Sequence, residues 1–134
     1  MPRSVIEDAI NTKLTTDQSA GSFYDDVSGR ISANEATDSK AFPHAIYTVV
    51  SDVPFRAFGG KRDIDCLFDV DLFGSKGTSL HLTNNKLYTL LDNASVSPTG
   101  FNGGVVQCLD TGIVTYDDER MQITSRWRLQ ATEP

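Results

Sequence analysis

The chain is short of almost everything that would mark it as an enzyme, a membrane protein or a general nucleic-acid binder. Its 134 residues contain no apolar run near the roughly 18 residues of a membrane span. The polar start M-P-R-S-V-I-E-D lacks a signal-peptide core, so residence in the cytoplasm is expected. Basic residues are outnumbered, 12 Lys plus Arg against 18 Asp plus Glu, for a formal charge of -6. That sign opposes a binder built on many phosphate contacts. There are two histidines, His44 and His81, and neither stands in H-E-x-x-H, H-x-x-x-H or G-x-S-x-G. His44 leads a strand and His81 starts a helix, positions that suit surface residues. The two cysteines, Cys66 and Cys108, lie in strand-like apolar segments without a neighbouring base, which reads as a pair of core thiols. The G-F-N-G-G of Gly100 to Gly104 lacks the Lys and Ser/Thr of a phosphate-binding loop.

What is present is a sharp alternation. In R-D-I-D-C-L-F-D-V-D-L-F, from Arg62 to Phe73, one parity holds Ile64, Cys66, Phe68, Val70 and Leu72. The other holds Asp63, Asp65, Asp69 and Asp71, broken only by Leu67. Period two with such a contrast predicts a half-buried strand with an acidic outer face. Near the C-terminus R-M-Q-I-T-S-R-W-R-L repeats the pattern with opposite charge: Met121, Ile123, Trp127 and Leu129 inward, Arg120, Arg126 and Arg128 outward.

The remaining elements follow from spacing. Val5, Ile6, Ala9, Ile10 and Leu14 give a helix between Arg3 and Ala20, with Ser4 and Glu7 spaced as a capping box and Gly21 as its end. Residues 27–33 form a weak strand candidate around Arg30 and Ile31, and 34–41 a loop. After Pro43, H-A-I-Y-T-V-V-S predicts a strand ending at Asp52 and Pro54, with F-R-A-F-G-G as a turn or short strand. Ser75 or Ser79 would cap a second helix carrying Leu80, Leu87, Leu90, Leu91 and Ala94. Residues 93–104 read as a loop, and two strands close the chain near 105–115 and 119–130. The order predicts one α+β domain over 1–134: a mostly antiparallel twisted sheet of about four to five strands, with two helices packed on one face and the charged face uncovered.

The core P-H-A-I-Y-T-V-V-S-D-V-P, a Gly-containing turn, D-I-D-C-L-F-D-V-D-L-F-G-S and a Leu-rich helix together resemble the tail-completion or tail-terminator family of long-tailed bacteriophages. The resemblance implies a structural virion protein without catalytic residues or cofactor. It would form a homo-oligomeric ring, a hexamer, that caps the head-proximal end of the tail tube and ends its polymerisation. Its partners would be the tail tube protein and the connector or neck proteins, with DNA passing through but not specifically bound. It would reside in the virion, and in host cytoplasm during assembly.

The charged faces admit three readings: an ordinary solvated surface, cross-strand pairing within the chain, or a subunit interface or channel lining. Under the last, Asp63, Asp65, Asp69, Asp71, Arg120, Arg126 and Arg128 are interface or lumen candidates, and a bare acidic lining would repel passing phosphates. Tyr24, Phe42, Phe55 and Phe58 divide between core caps and contacts to a neighbour, with Phe55, Arg56 and Phe58 in the turn as anchor candidates. Other readings are a different neck or head-completion protein, or a metal-dependent enzyme built on the Asp63/Asp65 strand. Carboxylates two apart on a strand lie about 7 Å apart and repel by only about 0.6 kcal/mol in water, so the row needs no cation.

Overall fold

The computed structural model describes residues 3–34, 42–56, 62–75, 80–117 and 120–132, with side chains described at 5–34, 42–51, 63–75, 80–116 and 120–132. Helix α1 spans Arg3–Thr16, the short α2 Phe23–Asp26 and α3 Leu80–Leu91. The strands are β1 Ile31–Ala33, β2 His44–Arg56, β3 Arg62–Ser75, β4 Asn102–Asp117 and β5 Arg120–Thr132. They form one open sheet in the order β1-β2-β3-β5-β4, antiparallel except for β1, which runs parallel to β2.

The inward parity of each long strand makes the core. Ile64, Cys66, Phe68, Val70 and Leu72 of β3 and Met121, Ile123, Trp127, Leu129 and Ala131 of β5 are buried against Ile6, Ile10 and Leu14 of α1 and Leu80, Leu87 and Leu91 of α3. The two long helices thus cover one face, α1 over β1 and β2 and α3 over β3, β5 and β4. Trp127 and Phe68 are the largest side chains wholly enclosed. Burying residues of this size contributes about 1.5–3 kcal/mol each before entropy is counted. One polar pair is enclosed with them: the Trp127 indole N–H donates to Ser125 Oγ at 2.9 Å, and that hydroxyl donates to the Val70 carbonyl at 3.3 Å.

Several sequence expectations move. The first helix stops at Thr16 instead of running to Gly21, and Ser4 lies inside it, so the spacing of Ser4 and Glu7 is not a cap. Thr15 donates to the Asn11 carbonyl and Thr16 to that of Thr12, the local competition that weakens a helix end. Helix α2 falls between Gly21 and the strand candidate at 27–33, in a run to which the spacing assigns no element. Ser22 caps it, accepting from Asp25 N–H at 3.2 Å, and its burial of Phe23 is a tertiary gain. Strand β2 does not stop at Asp52 and Pro54 but reaches Arg56, pairing Pro54 with Ile64. Beyond Ala45–Tyr47, β1 no longer flanks β2, so among the described residues that length of β2 is a sheet edge, where a proline is tolerated. Phe58 and the F-R-A-F-G-G turn beyond Arg56 lie outside the described residues, as does Ser79.

The stretch 93–101 is less a loop than a selvage on β4. Asn93 N–H donates to the Val106 carbonyl, Val106 N–H to that of Ala94, and Val96 N–H to that of Gly104, covering the outer edge of β4 over 104–106. The approach is close enough to require glycine: a Cβ on Gly104 would sit 1.5 Å from the Val96 carbonyl oxygen.

Candidate assembly surface

The face without helices carries the charges, and the β3–β5 register decides what they do. Arg126 lies opposite Asp69, and its guanidinium grips that carboxylate with two bonds, Nε to Oδ1 at 2.8 Å and Nη2 to Oδ2 at 3.0 Å. Arg128 lies opposite Leu67 and leans one pair along the sheet to Asp65, with Nε to Oδ1 at 2.7 Å and a second bond from Nη2 to Oδ2. Donation from Arg128 holds the Asp65 carboxyl below the usual aspartate range, against a smaller upward push from burial. The same bonds raise both arginines. Asp110 of β4, opposite Arg126 on its other side, adds to that rise.

Asp71 takes neutral donors instead, Thr124 Oγ1 at 2.6 Å and Gln122 Nε2 at 3.4 Å. Asp63 has a buried Oδ1 without a hydrogen-bond partner among the described residues. Arg120 sits at the far end of β5, opposite Ser75 and Asp117. Of the three readings of the charged face, pairing within the chain accounts for Asp65, Asp69, Arg126 and Arg128, and a ladder of ion pairs replaces an anionic wall. Of Phe55 and Arg56 the structure describes only the backbone, at the end of β2.

Further features of the surface have no signature in the sequence. Phe42, His44 and Phe73 stack on this face, with ring centroids 5.5 Å and 4.9 Å apart in turn. Phe42 and His44 are neighbours two residues apart, and the β2–β3 register, which sets His44 against Phe73, adds the third ring. A shallow depression of about 310 Å³ lies among Ser51, Asp65, Leu67, Leu109 and Arg128. On the helical side a larger groove, about 470 Å³, runs between α1, α2 and α3 past Lys13, Phe23 and Lys86. Lys86 is spoken for by Asp26 at 2.9 Å.

Strand β4 is the long outer edge of the sheet and carries several exposed apolar side chains. Leu109, Ile113, Val114 and Tyr116 are 51%, 59%, 38% and 60% exposed. Helix α3 and the residue after it blunt part of this edge: Asp92 accepts from Cys108 N–H at 3.4 Å, and Asn84 Nδ2 donates to the Thr111 carbonyl at 2.7 Å. Register shifts at 108–110 and 110–113 then separate that guarded half from the stretch beyond Gly112. Cys66 is buried, Cys108 is half-buried with its thiol pushed up chiefly by desolvation, and neither forms a disulfide. With β5 between their strands they are about 10 Å apart, beyond disulfide reach. Among the described residues no three His, Cys, Asp or Glu side chains converge as metal ligands. Nor does any described helix have the length and apolarity to cross a membrane.

No protein-family profile matches this chain, and no curated protein does. Nineteen chains of solved structures are similar to it. One, a protein identified only by a sequence number, superimposes with a TM-score of 0.67 at 15% identity, over 98% of this chain and 96% of its own. At that identity the likeness shows the fold alone.

Proposed function

We propose that this chain is a structural subunit of a phage virion that acts by self-association. It forms a ring at the head-proximal end of the tail tube, ends tube polymerisation and offers the other side to the head connector. The observation that carries this reading is an open sheet left unfinished on two sides: a charged face with no helical cover, and an edge strand that exposes Leu109, Ile113, Val114 and Tyr116. Exposed edges and clustered apolar side chains are costly in a solitary soluble domain and are what an assembly covers. The resemblance of 43–54 and 63–75 to tail-terminator proteins supplies the kind of assembly.

The work is geometric and no bond is made. Outward on this face stand Asp63, Asp65, Asp69, Asp71 and Asp110 against Arg120, Arg126 and Arg128, so its repulsion of DNA is weaker than a bare row would give but of the same sign. The alternative of an enzyme on the Asp63/Asp65 strand is disfavoured because Asp65 is committed to Arg128. Electron microscopy of particles lacking the protein tests the reading. Overlong or headless tails support a terminator, whereas tailless filled heads assign it to another neck or head-completion role.

A further inference from the structure

The two lengths of sheet edge left open lie at opposite corners of the sheet, and their placement specifies how copies join. Strand β1 covers β2 only at Ala45–Tyr47, and among the described residues no strand flanks β2 from Ser51 to Arg56. On the other side, residues 94–96 cover β4 at 104–106, and Asp92 and Asn84 cap Cys108 and Thr111, leaving uncovered among the described residues the stretch from Gly112 onward.

Strands β3 and β4, both antiparallel to β5, run parallel to each other and are joined through α3, a crossover that is right-handed in about 98% of cases. Seen from the helical side with β3 pointing up, the order then runs left to right from β1 to β4. The open part of β4 is at the top right and the open part of β2 at the bottom left. A second copy set to the right and raised brings its descending β2 beside the ascending β4, continuing the antiparallel alternation of the sheet.

The rise has both the size and the hand of a closing ring. Thr115 lies level with Phe73 through Gln122, and Ser51 level with Leu67. Setting Thr115 beside the next copy's Ser51 raises that copy by six residues, about 20 Å, over four strand spacings, about 19 Å. The strands then lean about 45° from the ring axis, at the upper end of the tilt of closed barrels. They lean to the right as seen from the helices, which matches the right-handed coiling of twisted sheets only if the helices are outside. Both residues lie on the charged face, so this register keeps the faces continuous, and a slip by one would turn one copy over.

We propose that copies join edge to edge, β4 at Gly112–Thr115 against β2 at Ser51–Pro54 of the next, closing a ring with the helices outward and the ion-pair ladder facing the lumen. The inference rests on the ring reading above and names the surfaces that make the ring. It also covers Ile113 and Val114, which the single chain leaves in water.

Cysteine cross-linking tests it. In a Cys108→Ser background the variant Ser51→Cys/Thr115→Cys is oxidised with copper phenanthroline, with each single variant alongside, and mass is followed by light scattering, with and without tail tube protein. A second pair, Ser51→Cys/Ile113→Cys, reads the adjacent face-preserving register and guards against misfolding of the first. The expected result is a ladder of covalent multimers ending at one closed size in a double variant and absent from both singles. Assembly by mass without a 51–115 or 51–113 bond, or a bond in Thr115→Cys alone from two β4 edges meeting, overturns the edge pairing and leaves the ring standing. A single-chain mass under every condition overturns both.

Discussion

If Asp65 and Asp69 are neutralised within the chain, their coupling to Arg128 and Arg126 must be measurable in the isolated subunit. The perturbation is a double-mutant cycle, Asp65→Asn and Arg128→Met with the pair combined, and the same for Asp69→Asn and Arg126→Met. All four side chains are partly exposed, 24% and 38% for Asp65 and Arg128, 17% and 46% for Asp69 and Arg126. Charges about 4 Å apart attract by about 1 kcal/mol in water, and ordering two long side chains takes back part of that. Two-bond geometry recovers some of it, so each cycle is expected to give a coupling of about 0.5–1 kcal/mol in urea unfolding at low salt. For a chain of this size that corresponds to about 2–4 °C in Tm. In 1 M salt, where screening acts over about 3 Å, the coupling should fall below half. Couplings indistinguishable from zero at both salts would refute the ladder, and would return these residues to the pool available for contacts between copies.

Three other outcomes follow from the same coordinates. The lowered Asp65 carboxyl stabilises the fold fully above its unfolded pKa of about 3.9, and that contribution is lost as pH falls through the folded value. Urea midpoints of wild type and Asp65→Asn should therefore keep a constant gap well above pH 4 and close it progressively below about pH 4, and a gap that persists unchanged into strong acid contradicts the pairing. Gly104→Ala should cost about 2–4 kcal/mol because its Cβ meets backbone, whereas Gly100→Ala, with open space but φ of +89°, should cost about 1 kcal/mol; equal midpoints would show that the 94–96 seam gives way freely. Ser125→Ala strands the Trp127 indole N–H in the core and should cost about 1–3 kcal/mol by thermal unfolding, with a neutral result indicating that water reaches the indole.

The fold was readable where one strand or helix carries its own evidence. The contrast between Ile64–Leu72 and the intervening aspartates, and its echo from Met121 to Leu129, placed both central strands and their buried sides before any partner was known. Ile6, Ile10 and Leu14 did the same for α1. What escaped depends on residues far away in sequence. Helix α2 exists because Phe23 finds the core and Asp26 finds Lys86, 60 positions on. Pro54 marks the end of a strand only if that strand is flanked on both sides, and β2 is not. The ladder needed the β3–β5 register, since Arg128 stands opposite Leu67 yet reaches Asp65, a diagonal that composition cannot announce. The addition of Phe73 to the local Phe42–His44 pair likewise depends on cross-strand register.

The most direct test of the whole account is a density map of the intact particle at the junction of head and tail. It should show a closed ring of this chain on the last layer of the tail tube, Asp65 and Asp69 toward the DNA path and α1 and α3 outside. A solitary copy elsewhere in the particle, or a ring with the aspartate–arginine face turned outward, would contradict it.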